Sequence, residues 1–218
     1  MKTVLLFGAT GRTGSEVLNY ALERGYHVKA LVRDPSKITL ESDRLELITG
    51  TPANLEDVKR AAAGCDAVIS TLNNPRKTES LWAKPVNPPT LMTGCIRNAV
   101  TVMKEMGILR IIVQTGAGAG DSFADMPLFM KAMIRLTNLK YAYADHDGQE
   151  QVLKDSDLDW TIVRPVGLNN NETIKELAIG KGANHTAMIP RKAVAKFMVD
   201  CLESKEYVKK APIISEQK

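Results

Sequence analysis

Apolar residues along this 218-residue chain fall into two alternating registers. Short continuous runs at 2–7, 26–32, 45–49, 67–72, 109–114 and 160–165 have the length and β-branched content of buried strands. Between them, apolar positions recur at helical spacing. Val17, Leu18, Ala21 and Leu22 mark a helix over 15–24, and Leu55, Val58 and Ala61 mark one that Asn54 caps. Leu91, Cys95, Ala99, Val102 and Met106 form one face of a helix over 90–106 that Gly107 stops. Further helices are expected over 125–139, with a stripe of Met126, Met130 and Met133, over 141–156, and over 192–202. Residues 211–214 read as a last edge strand and 215–218 as a loose tail.

Strands that alternate with helices require right-handed crossovers and a parallel sheet covered on both faces. The expectation is a doubly wound α/β Rossmann sheet, order 3-2-1-4-5-6, with one added edge strand. A single domain over 1–218 is expected, in which 166–190 contributes to a substrate pocket.

The first strand runs directly into Gly8-Ala9-Thr10-Gly11-Arg12-Thr13-Gly14, and a helix follows. Gly8 suits a turn closed to residues with a Cβ, Gly11 a close approach of a pyrophosphate, and Gly14 tight helix–strand packing. Free N–H groups at the start of the helix would face phosphates, where the helix dipole favours negative charge. Thr10, Arg12 and Thr13 belong to the same turn. In such folds an acidic residue after the second strand holds the 2′-hydroxyl of NAD, and an arginine there accommodates the 2′-phosphate of NADP. Arg33 comes first in this chain, with Lys37 in reach, so NADP is expected and NAD remains possible. Thr51, Leu72 and Asn73 follow the third and fourth strands on the same side. Thr115 and Gly116 open a second glycine cluster after the fifth, and Pro165 and Val166 end the sixth. The polar, proline-rich stretch 75–89 is long for a connection and is expected to hang over this edge.

Composition narrows the function. A net charge of +4 without a block of like charge argues against a nucleic-acid arm. The apolar start is too short for a membrane span, and Gly8 interrupts it. Cys65, Cys95 and Cys201 are far apart and show no zinc spacing, so no metal is expected and a reducing cytoplasm fits best.

The segments 7–14, 30–35, 159–165 and 189–191 together resemble the atypical short-chain dehydrogenase/reductases. Within these the chain is most similar to the NAD(P)H-binding, NmrA-like group that includes biliverdin-IXβ reductase/flavin reductase. The resemblance implies NADPH and a small flat acceptor (a flavin, quinone or tetrapyrrole), with the protein a monomer or homodimer. It also exposes departures. The superfamily's Tyr-x-x-x-Lys is absent, because Tyr141 is followed by Asp145 and Tyr143 by Asp147. A nearby carboxylate raises a phenol's pKa instead of lowering it. A serine expected beside the nicotinamide aligns with Gly116, leaving Thr115 as the nearest hydroxyl, and Thr51 replaces a usual aspartate. Asp145 and His146 resemble an Asp-His pair of the biliverdin-reductase relatives. Thr115, Tyr143 and His146 are therefore the catalytic candidates for a reaction that needs little proton transfer by the protein. The alternative is a non-enzymatic NADP sensor of the NmrA type.

Overall fold

The computed structural model describes residues 2–78, 80–181 and 183–218. Glu79 of the expected 75–89 loop and Gly182 of the 166–190 segment lie outside the described residues.

The strands are β1 (Thr3–Phe7), β2 (His27–Val32), β3 (Leu45–Thr49), β4 (Ala67–Ser70), β5 (Arg110–Gln114), β6 (Asp159–Pro165), β7 (Gly167–Asn169), β8 (Leu177–Ile179), β9 (Met188–Pro190) and β10 (Ile213–Glu216). The helices are α1 (Arg12–Glu23), α2 (Leu55–Ala62), α3 (Leu91–Met106), α4 (Leu128–Leu136), α5 (Leu139–Lys154) and α6 (Arg191–Asp200). The main sheet has the order β3-β2-β1-β4-β5-β6-β10-β8 and is parallel except for β8; β7 and β9 pair separately.

Each central strand splits its side chains between two cores, as the period-two pleat requires. In β1, Val4 and Leu6 join Val17 and Leu18 of α1 and Val194 and Met198 of α6. Leu5 and Phe7 join Val58 of α2, Ile96 and Ala99 of α3 and Leu153 of α5 on the other face. This is the expected two-faced burial of a Rossmann sheet.

Several expectations are corrected. Two strands, not one, extend the sheet beyond β6. The 211–214 segment is not an edge: β10 starts at Ile213 and lies between β6 and antiparallel β8, with Ile214 fully buried. The expected loose tail belongs to this strand, since Ser215 and Glu216 are buried and Gln217 N–H donates to Glu176 O. The expected helix over 125–139 is split into a 3-10 turn (Gly120–Asp125) and the shorter α4. Pro127 causes this, because the residue before a proline is driven out of the helical region and Met126 is extended. The methionine stripe is only half-buried, and α4 buries Ile134 alone. In α3 the inward face uses Met92, Ile96 and Met103 with Cys95, Ala99 and Val102, while Met106 is exposed. Helix α5 begins at Leu139 and α6 at Arg191, each ahead of its expected start.

Asp145, of the Asp145-His146 pair, has a structural role. From α5 it accepts hydrogen bonds from Met92 N (2.9 Å), Thr93 N (2.8 Å) and Thr93 Oγ1 (2.6 Å), capping α3 across the helix–helix contact. Gly148 allows that approach, since a Cβ there would lie 2.3 Å from Thr93 Oγ1. Asp145→Ala should cost about 2 kcal/mol of stability, the upper range for loss of a cap. Urea unfolding would show a lower midpoint with an unchanged slope; an unchanged midpoint would refute the capping role.

Candidate active site

The site lies along the carboxyl edge of β2, β1, β4 and β5. Gly8, with φ +85°, turns the chain out of β1, and a Cβ there would meet Thr71 Oγ1 at 2.8 Å. Thr71 Oγ1 donates to Phe7 O at 3.1 Å, tying the end of β4 to this turn. A Cβ on Gly14 would lie 2.0 Å from Gly8 O, so Gly14 seats α1 against the turn and sits behind the site. A Cβ on Gly11 would meet only Gly8 O, at 3.2 Å. No side chain caps α1 and its first turn carries no acid, so its first N–H groups are left for a ligand.

Three clefts meet around this turn. One of about 330 Å³ runs toward β2 and is lined by Gly8, Thr10, Gly11, Arg33, Thr51, Leu72 and Asn73 among others. A central one of about 420 Å³ is lined by Thr10, Gly11, Arg12, Thr13, Leu72, Asn73, Thr115 and His146, with Thr71, Gln114, Leu168 and Arg191. An outer one of about 320 Å³ continues from Arg12, Asn73 and His146 to Gly116, Tyr143 and the start of the 75–89 loop. Most of the expected residues are thus brought together. Lys37, Pro165 and Val166 are not. Lys37 is exposed in a 3-10 turn. Pro165 O accepts from Ala117 N and Val166 N donates to Ile214 O, so the sheet holds both, and Leu168 takes the wall position. Asp34 accepts from Ser36 N and Oγ, which leaves Arg33 as the residue of this turn that lines the cleft.

Sequence reasoning missed Thr71, Gln114 and Arg191, while Leu168 belongs to the 166–190 segment expected at the pocket. Gln114 carried a usable signal, being a polar residue that ends an otherwise apolar strand at the ligand edge. Its Oε1 is buried and, among the described residues, has no hydrogen-bond partner. A dinucleotide fits these residues. The cradle at Gly11 lacks a side chain, the α1 N-terminus is open, Arg33 suits a ribose phosphate, and Gln114 Oε1 is an unmatched acceptor beside the central cleft. Among the described residues no cluster of His, Cys, Asp or Glu could hold a metal.

The hydroxyls among the candidate proton-handling groups are both engaged. Thr115 Oγ1 donates to Glu150 Oε1 at 3.0 Å. Glu150 also receives Arg164 Nε at 2.8 Å and the Arg164 Nη2, and that nitrogen reaches Asp121 Oδ1 at 2.6 Å. Arg164 and Glu150 are each 1% exposed. Burial works against the charged guanidinium, but Glu150 and Asp121 outweigh it and raise its pKa. The Arg164 contact lowers Asp121 to about 2. Tyr143 Oη donates to Ala117 O at 3.1 Å, and burial, with Asp147 nearby, raises its pKa. His146 has its pKa lowered, mainly by burial, so the imidazole is neutral at neutral pH. Gln149 Nε2 lies 3.2 Å from His146 Nδ1 and 3.8 Å from Met92 Sδ.

The profile of the NAD(P)H-binding family matches residues 8–205, and the chain belongs to that family. Relatives at 25% identity are named as reductases, and the fold is shared with solved short-chain dehydrogenases/reductases. Reductase pytE of Aspergillus terreus is 25% identical over 79% of this chain and 78% of its own. Sanguinarine reductase of Eschscholzia californica is 25% identical over 96% of this chain and 87% of its own. Two solved structures share the fold. ChuY, described as an anaerobillin reductase from Escherichia coli O157:H7, has a TM-score of 0.79 at 23% identity, covering 99% of this chain and 97% of that one. A short-chain dehydrogenase/reductase from Veillonella parvula in complex with NADP has a TM-score of 0.75 at 18% identity, covering 99% and 94%.

Gly11→Val should abolish dinucleotide binding while the fold survives, because only Gly8 O crowds that position from within the protein. Calorimetric titration with NADPH, alongside thermal unfolding, checks both halves. A variant that binds normally would place the dinucleotide elsewhere.

Proposed function

We propose that this chain is an NADPH-dependent reductase of a flat conjugated acceptor, a flavin or quinone or a related ring system, working chiefly by alignment. The observation that carries this reading is the junction of the central and outer clefts at Arg12, Asn73 and His146. One cleft follows the glycine turn, the other opens away from it, and two ligands laid in them would meet at that junction.

Gly8, Thr10, Gly11 and the first N–H groups of α1 would hold the pyrophosphate, Arg33 the 2′-phosphate, and Gln114 and Thr115 would border the ring. Bound NADPH would supply a hydride. The protein's part is to orient and to exclude water. Thr115 is fixed by Glu150 and cannot swing, and Tyr143 remains a phenol bonded to Ala117 O. His146, kept neutral by burial, borders both clefts and can hydrogen-bond an acceptor without changing charge. Alignment of this kind can account for several orders of magnitude in rate. Leu168 brings the 166–190 segment to the central cleft as one wall. The relatives named as reductases support this class. Three buried free thiols, with Cys65 pushed up to about 11, fit a reducing cytoplasmic compartment.

An NADP-binding regulator is the second reading, favoured by the engagement of both hydroxyls. Steady-state NADPH oxidation with FMN, riboflavin, biliverdin and a quinone panel separates the two. Turnover with one of them is expected; tight NADPH binding without turnover on any would favour the regulator.

Two variants sharpen the reading. Arg33→Ala should weaken NADPH at least about tenfold, within the ~1.5–3 kcal/mol of a charge-assisted contact, and barely touch NADH. Equal weakening of both in calorimetry would remove the 2′-phosphate assignment. His146→Ala should lose less than about 100-fold in turnover, the low end for a general acid. The wild-type rate should also lack a limb near the ordinary histidine pKa of about 6.5, because burial moves this titration to lower pH. Abolished turnover with NADPH affinity intact would make His146 a true proton donor.

A further inference from the structure

Helix α4 is apolar on the side it buries and on the side it exposes. Ile134 points inward and is 3% exposed. Leu128, Ala132 and Leu136 are spaced i, i+4, i+8 and share the opposite face, where Leu128 is 82% and Leu136 72% exposed; beside them Phe129 is 70% exposed. An apolar face on a helix is normally covered. The patch continues onto the 75–89 loop. Asn138, just past α4, donates its backbone N–H to Leu81 O at 3.0 Å and its side-chain amide to Trp82 O, and Trp82 is 67% exposed. Contiguous exposed apolar surface of this kind marks an interaction site.

Asp121 and Asp125, on the turn that Lys131 and Arg135 contact, are paired with Arg164 and Lys181, so the charge left beside the patch is mainly basic. Residues 126–144 contain Lys131, Arg135 and Lys140 and no Asp or Glu, and the loop adds Arg76, Lys77 and Lys84 against Glu79. Arg135 lies over the Phe123 ring and Lys140 over the Tyr141 ring, so both cations stay near apolar surface. A second copy is a poor occupant, since an isologous contact would set this basic flank against itself. An aromatic and aliphatic face bordered by Lys and Arg is what an interfacial helix presents to an anionic bilayer.

We propose that α4 and the adjoining loop form a docking surface for an anionic lipid surface, with Leu128, Phe129, Leu136 and Trp82 entering the headgroup boundary. Among the described residues no helix is long and apolar enough to cross a membrane, and lying in the interface requires none. The outer cleft is lined by Thr78 and Leu139, so it opens beside this surface and would face lipid. That consequence rests on the proposed reductase activity; the docking itself does not.

The test is co-sedimentation of the full chain with phosphatidylcholine vesicles, with and without about one-third phosphatidylglycerol, at low and high salt. Binding is expected only to the anionic vesicles and should weaken with salt. Phe129→Ser with Leu136→Ser should lower the partition coefficient at least about tenfold, as expected for lost apolar insertion. Arg135→Gln with Lys140→Gln should lower it and flatten its salt dependence. Unchanged circular dichroism and NADPH binding would show that these variants remain folded. No sedimentation with anionic vesicles would overturn the proposal, as would equal binding to phosphatidylcholine alone or wild-type binding by the Ser variant. A concentration-dependent dimer in sedimentation velocity, abolished by the Ser substitutions and unaccompanied by vesicle binding, would assign the patch to a second copy. NADPH turnover enters none of these outcomes, so the docking surface and the reductase reading fail separately.

Discussion

The buried ion pair between Arg164 and Glu150 fixes the geometry of the site. Arg164 sits near the end of β6 and Glu150 on α5, four residues beyond His146. Two charges taken out of water must pair with good geometry or the fold suffers, and removing one partner of such a pair typically costs about 3–5 kcal/mol. Here the pair is bidentate, and Asp121 and Lys154 add to it from the rim. Thr115 is tied to the same carboxylate, so β5, β6 and α5 are locked together where their ends border the clefts. Gly120 passes close enough that a Cβ would lie 2.3 Å from Glu150 Oε2, which fixes the path of the second glycine cluster.

This arrangement commits several of the side chains suggested for proton transfer to other partners. Thr115 gives its hydrogen to Glu150, Tyr143 gives its hydrogen to a backbone carbonyl, and Asp145 caps a neighbouring helix. Among the described residues His146 pairs one ring nitrogen with Gln149 and turns the ring to the clefts. In the proposed function such a site would hold two flat ligands and set a neutral imidazole between them. That suits a reaction whose difficult step belongs to the cofactor.

The sequence was informative wherever local rules act alone. Gly8, Gly11 and Gly14 carry distinct backbone demands, and the structure assigns each a distinct contact. Asn54 caps α2, Thr90 and Gly107 bound α3, and the alternation of β1 follows from the pleat. Legibility failed where the decisive partner is distant in sequence. Nothing near Asp145 reveals that Met92 and Thr93 will meet it. Nothing near residues 213–216 reveals that β8 will cover them. Arg164 was visible as part of a strand motif, but its pairing with Glu150 is a tertiary fact. The exposed face of α4 was hidden for the opposite reason: apolar residues at helical spacing read as core, and only the fold shows which side is left open.

In the proposed function the chain accelerates hydride transfer from NADPH by alignment, without a titrating side chain. The most direct test is single-turnover oxidation of NADPH carrying protium or deuterium at C4, with FMN as acceptor, followed across neutral pH. The account predicts oxidation faster than in the protein-free mixture, a primary isotope effect, and a rate constant that does not change through the ordinary histidine range near about 6.5. An enzyme-bound rate no faster than the protein-free mixture, or one that follows a single protonation through that range, would contradict it.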